Sequence, residues 1–153
     1  MTYRIEGLAP QPFAPLFAMS DEALAERNAR RAVADGPGYP CRITLEDAET
    51  GEELILVNHV SQDAPTPFRA SHAIYVRKAD VPASFVDAVP PIFGTRTLGL
   101  RAFDAEGMLR GALLALPGEA DAGIRALLER PDVASIHAHN AALGCFLARI
   151  GRN

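Results

Sequence analysis

The chain has 153 residues, the size of one domain, with 48% apolar and 22% charged side chains. At this length one core removes about 70% of the unfolded chain's surface from water, so folding requires neither a metal nor a disulfide. Fifteen basic against nineteen acidic residues leave a net charge of −4, which argues against the concentrated basic face of a nucleic-acid binder.

Thr2 to Leu8 reads as a first short strand. Pro10, Pro12, Phe13, Pro15 and Phe17 then make Ala9 to Ala18 an irregular stretch with aromatic anchors, because its prolines forbid a helix interior. Ser20 reads as an N-cap with Asp21 and Glu22 in the first turn. The helix is expected to run to about Ala34 and to stop at Asp35-Gly36-Pro37-Gly38. Arg27, Arg30 and Arg31 share this segment with Asp21, Glu22 and Glu26, as on a solvated helix face.

Arg42–Glu46 and Glu53–Val60 flank Asp47-Ala48-Glu49-Thr50-Gly51-Glu52, a hairpin pattern. Leu54-Ile55-Leu56-Val57 is apolar on both faces, as a central strand is. A proline-bearing loop from Ser61 to Ala70 leads to a strand over His72–Lys78. Pro82 to Val89 reads as a short helix ended by Pro90-Pro91. Two strands, Thr95–Phe103 and Met108–Leu116, are joined by Asp104-Ala105-Glu106-Gly107, where Asp104 suits an Asx-type turn. A helix over Glu119–Arg130 places Ile124, Leu127 and Leu128 inward and stops at Pro131. Val133–His139 and Cys145–Ile150 read as a last hairpin.

Adjacent strands with few helices define an α+β class: one domain over residues 1–153, with a mostly antiparallel sheet of about six strands and two main helices. No basic start with an apolar stretch opens the chain, and no uncharged run is long enough to span a bilayer. Two cysteines far apart in sequence, Cys41 and Cys145, fit a reduced, cytoplasmic chain. No nucleic-acid or membrane partner is expected, and a homo-oligomer is left open.

No glycine-rich dinucleotide fingerprint, phosphate loop, Gly-x-Ser-x-Gly elbow or paired Cys-x-x-Cys element is present, so no cofactor is evident. Several segments do occur together in a particular order. They are Tyr39-Pro40-Cys41-Arg42, the Leu45–Glu52 segment, Ala73-Ile74-Tyr75-Val76-Arg77, Leu100-Arg101-Ala102-Phe103-Asp104, and His137-Ala138-His139-Asn140-Ala141 with Gly144-Cys145. Together they resemble an uncharacterised bacterial group, the domain of unknown function family 1203, over roughly residues 13–152. The resemblance implies no activity, cofactor or substrate.

The candidate site is the run from His137 to Cys145. Alternate residues of a strand share a face, so His137 and His139 project together. With Asn140–Gly144 as a five-residue loop, the simplest register sets His139 opposite Cys145 and His137 opposite Leu147. Three functional readings follow. Cys145 is a thiol nucleophile deprotonated by His139, with Asn140 or His137 orienting the ring or donating to an oxyanion. Alternatively His137, His139 and Cys145 hold a metal with help from Cys41, His59 or His72, although no metal is predicted outright. Or Arg42, Arg77 or Arg101 clamps a small carboxylate or phosphate.

A structural reading competes with these, with half-exposed histidines at a strand end, an asparagine tying its own loop, and Cys145 as a small core hydrophobe. By the same logic Cys41 is a buried core residue. Arg42 and Arg101 are strand arginines that point to water or pair with Asp47 or Asp104. His59 and His72 approach one another if their strands pair. The functional expectation is therefore a small-molecule enzyme or binding protein built on Cys145, His139, His137 and Asn140, with Arg42 and Arg101 for ligand binding. The alternative is a non-catalytic interaction or structural domain. A concave pocket at the histidines separates the first class from the exposed apolar patch of the second.

Overall fold

In the computed structural model, which describes residues 1–153, nine strands and two α-helices follow one another along the chain. They are β1 (Tyr3–Glu6), α1 (Asp21–Glu26), β2 (Ala29–Val33), β3 (Glu53–Gln62), β4 (Ala70–Arg77), β5 (Ser84–Val86), β6 (Leu98–Phe103), β7 (Leu109–Ala115), α2 (Ala120–Leu128), β8 (Ser135–Asn140) and β9 (Phe146–Arg152). Two single-turn 3-10 helices, Ala14–Ala18 and Pro91–Phe93, interrupt the loops.

The C-terminal hairpin is the centre of the main sheet, whose six strands run in the order β5-β1-β9-β8-β6-β7, all antiparallel. Alternation divides β8 between two faces. Ile136 and Ala138 enter a 19-residue core with Leu98, Leu100, Ala102 and Ile150, closed by Ile124, Leu127 and Leu128 of α2. His137 and His139 go to the other face, in rows with Arg101 and Arg149 and with Gly99 and Phe146. The β6–β7 hairpin is built as its turn sequence requires. Asp104 Oδ1 accepts from the backbone N–H of Glu106 and Met108 at 3.0 and 2.9 Å, and Gly107 takes φ +88.

A second, three-stranded sheet, β2-β3-β4, stands apart from the first in hydrogen bonding. It owes its existence to a helix that stops early. Ser20 does cap α1, its Oγ accepting from Ala23 N at 3.2 Å. However, Asn28 adopts the left-handed conformation (φ 52), a helix-ending role that asparagine fills readily. Residues 29–33, expected as helix, instead pair along β3 from Ala29↔Val57 to Val33↔Glu53. The run Leu54–Val57 is the central strand expected of it, with β4 on its other side.

Two further expectations are corrected. Arg42–Glu46 forms no strand with β3, because β2 and β4 occupy both edges of β3. The segment is a turn with isolated bridges at Pro40↔Asp47 and Cys41↔Tyr75, and Leu45 has φ 57. Pro82–Val89 is not a helix either. Ser84–Val86 pairs with β1, where backbone partners on an open sheet edge satisfy three residues too few for a stable helix.

Residues 39–47 stitch the two layers together. Cys41 N bonds to Glu46 O and Arg42 N to Tyr75 O, while Arg42 O accepts from Leu8 N and Ile43 O from Ala83 N. The strap therefore ties β4 to the segment that leaves β1. Its Ile43 carbonyl lies so close to Gly7 that a Cβ there would be 1.9 Å from the oxygen. Glycine is required at position 7 for this approach. A second core of ten residues, including Phe13, Leu16, Leu24, Cys41, Ile55 and Ile74, fills the space under the small sheet. Phe13 is the buried aromatic anchor expected of the proline-rich segment.

Candidate functional site

Where the strap, the small sheet and the C-terminal hairpin meet, they enclose a cleft of about 440 Å³. Its walls come from Gly38, with Pro40 and Arg42 of the strap just after it, Leu56 of β3, His72, Ala73 and Tyr75 of β4, Arg96 before β6, Asn140 at the end of β8, and Leu143 and Cys145 of the β8–β9 connection. A larger hollow of about 500 Å³ runs along β2 over Asp21, Leu24 and residues 29–33. Arg31 there is already matched by Asp21 at 3.8 Å and Glu53 at 2.8 Å, so that surface is an ordinary paired exterior.

Arg42 is the unusual group in the cleft. It is 1% exposed, and no carboxylate lies within ion-pair distance of it. Its Nε donates to Phe146 O at 2.8 Å, Nη1 to Pro40 O at 2.7 Å and Nη2 to Cys145 Sγ at 3.2 Å. A guanidinium has five N–H donors, so two remain without a protein partner. Burial pulls Arg42 below the usual guanidinium range, and Arg96 adds to this, while the nearby Cys145 opposes it. Arg96 differs in being neutralised, its fork meeting both Asp47 oxygens at 2.7 and 3.0 Å. Arg77, also weighed as an anion clamp, is bound to Glu46 and Glu52 at 3.0 and 3.2 Å. Asp47 therefore serves Arg96, and Asp104 serves Arg110 at 2.6 Å.

The expected thiol–imidazole pair does not form. The loop is one residue shorter than expected: Asn140 N donates to Cys145 O at 2.9 Å, so His139 pairs with Phe146, and Leu147 then bulges from β9 so that His137 pairs with Arg149. The shift places Cys145 in the loop, beside Arg42. His139 Nδ1 bonds to the carbonyl of Gly144 at 2.9 Å. A carbonyl only accepts, so Nδ1 carries the proton and Nε2 keeps a bare lone pair, buried and without a donor. Asn140 is half-buried and ties its own loop, its Oδ1 accepting from Ala142 N and Leu143 N at 3.0 Å each. Its side-chain NH₂ has no protein acceptor and lies at the cleft wall.

The four histidines are gathered between the two sheets. His59 and His72 are directly opposed across β3–β4, and the His72 and His139 rings meet edge-on with centroids 5.0 Å apart. His137 packs against Phe103 at 4.9 Å and Phe146 at 5.5 Å, and His59 against Phe13 and Phe146. His137 and His139 are 3% and 5% exposed. Burial, reinforced by neighbouring imidazoles and by Arg101, pushes each of them down to about 4. His59 and His72 are lowered too, first by burial. The layer is thus uncharged at neutral pH. No group of three or more His, Cys, Asp or Glu side chains comes close enough to hold a metal ion, so His137, His139 and Cys145 do not form a ligand set.

Of the residues singled out from sequence, Arg42, Asn140 and Cys145 meet in the cleft. His72, weighed only as an auxiliary metal ligand, joins them. His137 and His139 lie in the layer behind, and Arg101 sits over the Phe103 ring at 5.5 Å, outside the cleft lining. Tyr75 and Arg96 were not singled out, and no local spacing marks them. Cys41 is fully buried, its sulfur accepting from Arg77 N at 3.3 Å.

The fold and the cleft define an α+β domain whose antiparallel sheet carries a mostly apolar hollow, with Arg42, His72 and Asn140 in its wall, against a smaller second sheet. The chain belongs to the family described as Protein of unknown function (DUF1203), whose profile matches residues 38–152. That span contains every residue of the cleft and leaves β1, α1 and β2 outside it. No curated protein and no solved structure matches the chain. No helix is long and apolar enough to cross a membrane.

Proposed function

We propose that the protein binds a small anionic metabolite, a carboxylate or phosphate, in the cleft between its two sheets. The observation that carries this reading is Arg42, a buried cation at the cleft wall with no acidic partner and two N–H groups to spare. An unpaired buried charge costs several kcal/mol unless an opposite charge meets it, and a planar carboxylate or phosphate suits a guanidinium fork. The Asn140 amide and the neutral His72 edge supply polar contacts, and Leu56, Tyr75 and Leu143 supply apolar wall.

Thermal melts in phosphate, acetate and malonate against chloride at equal ionic strength test the reading. An anion present at about 100 times its Kd adds about 2.7 kcal/mol of stability, a rise in midpoint of several degrees. The same anions are expected to stabilise Arg42→Lys less. Equal midpoints in all four salts, with no ligand-dependent NMR shifts at Asn140 or Ala73, would overturn it.

One observation favours an interaction role alongside. β7 is an open sheet edge, and Leu114 and Leu116 are 65% and 51% exposed on and just beyond it. From Gly111 to Leu116 the strand carries no charge, so nothing in it opposes antiparallel pairing with a second copy. Light scattering reads this directly, with a dimer that Leu114→Lys dissociates supporting it and a wild-type monomer at high concentration ruling it out.

A further inference from the structure

We infer that Cys145 is a covalent acceptor in this cleft for small carboxylic acids bearing an electrophilic carbon next to the carboxylate or one bond beyond it. The inference rests on the anion-binding reading of Arg42 and adds a reaction to it. Two observations support it independently of each other. The Cys145 sulfur lies 3.2 Å from Arg42 Nη2, the cation whose remaining N–H groups are unclaimed. Cys145 is also half-exposed and lines the cleft, whereas Cys41 is fully buried and is not part of its wall.

A carboxylate held on a guanidinium places its oxygens about 2.8 Å from the nitrogens. With the sulfur on the same guanidinium, the carbon next to the carboxylate falls within van der Waals reach of Sγ. Two reactants kept together in this way behave as if one were present at very high concentration. The charges also match. Arg42 has no acidic partner and attracts the anion. On reaction the thiol proton passes to water through the open cleft, and the product is a neutral thioether. For an α-halo acid, the sulfur lone pair forms an S–C bond as the carbon–halogen bond breaks and halide leaves with its pair. For an α,β-unsaturated acid, the S–C bond forms at the β-carbon, the π pair moves to the α-carbon, and that carbon takes a proton from water. Neither reaction needs an oxidant, reductant or cofactor.

The test compares iodoacetate with iodoacetamide on the native, full-length protein, with alkylation of Cys145 followed by mass spectrometry and glutathione as the reference thiol. Both reagents draw on the same sulfur and the same ionisation, so their rate ratio isolates the contribution of the carboxylate. The acetate-to-acetamide ratio at Cys145 is expected to exceed that of glutathione at least tenfold. Added inorganic phosphate should return it to the glutathione value, a readout that needs no variant. Arg42→Lys, checked for folding by circular dichroism, should lower the ratio severalfold. A ratio equal to or below that of glutathione, or no alkylation of Cys145 until the protein is denatured, overturns the inference. If phosphate still raises the melting midpoint in that case, anion binding stands and only the covalent step falls. If phosphate does nothing in either assay, both fall.

Discussion

Arg42 and Cys145 are 103 positions apart in sequence, yet the guanidinium nitrogen of one lies 3.2 Å from the sulfur of the other. The contact joins the strap to the hairpin loop, and two further hydrogen bonds from Arg42 lock it in place. Arg42 is therefore both an anchor of the fold and the positive charge of the cleft.

That dual role separates two substitutions. Arg42→Met fills much of the space but leaves the buried carbonyls of Phe146 and Pro40 without donors. Each orphaned acceptor costs about 1–3 kcal/mol, so for the two of them a loss of about 2–6 kcal/mol is expected from urea unfolding. Arg42→Lys keeps the charge but cannot reach three directions from one planar fork, and it should lose less. A change below 1 kcal/mol for the methionine variant would show that these hydrogen bonds do not hold the strap.

The histidine layer makes stability depend on acid. His137 sits down at about 4 in the fold, while a histidine in the unfolded chain titrates near 6.5. Between those values the unfolded state binds the extra proton, so stability is full above about pH 6.5 and declines as the pH falls toward 4. The fully developed loss is about 3 kcal/mol for this one group, and His139 moves in the same direction. Melting midpoints from pH 7.5 to 4 should trace this fall. His137→Phe suits a site between Phe103 and Phe146 and removes the Nδ1 that has no partner. It should raise stability at pH 7 by about 1 kcal/mol and flatten the acid limb. An unchanged slope would mean that the imidazole is hydrated rather than buried.

Much of the main sheet was legible locally. Asp104-Ala105-Glu106-Gly107 specifies its own turn, Ile124, Leu127 and Leu128 specify the buried face of α2, and the hairpin around residues 141–144 follows from strand patterning. The second sheet was not legible, because the alanines between Ala25 and Ala32 fit a helix and a strand equally well. The decision falls to Asn28 in its left-handed turn and to an apolar β3 that needs a partner. The site divides in the same way. Cys145, Asn140 and Arg42 stand out as chemistry-bearing residues. A one-residue difference in loop length sets Cys145 opposite Asn140 and Phe146 opposite His139, and register carries no sequence mark of that kind.

Asn28 itself makes a sharp test of why the second sheet exists. At φ 52 a β-branched side chain is strained, whereas glycine is not. Asn28→Val should cost about 1–2 kcal/mol, and Asn28→Gly should be close to neutral. If valine were tolerated with a gain in helical circular dichroism, the α1-to-β2 break would not depend on this residue.

Gly7 connects the backbone to the cleft without touching any ligand. A methyl at position 7 would meet Ile43 O at 1.9 Å, and the backbone must move to relieve the clash. Ile43 adjoins Arg42, whose own carbonyl is held by Leu8 N at 2.8 Å, so the movement falls on the strap that aims the guanidinium. Gly7→Ala is therefore expected to lower stability by more than about 2 kcal/mol. In the fraction that remains folded, it should also weaken the rise in melting midpoint with phosphate. Gly36→Ala, where a Cβ meets nothing, serves as the control and should change neither quantity. Gly7→Ala with normal stability would mean that the strap adjusts freely. Lost stability with the full phosphate effect would mean that Arg42 is aimed by its own hydrogen bonds to Phe146 and Pro40 rather than by the approach at Gly7.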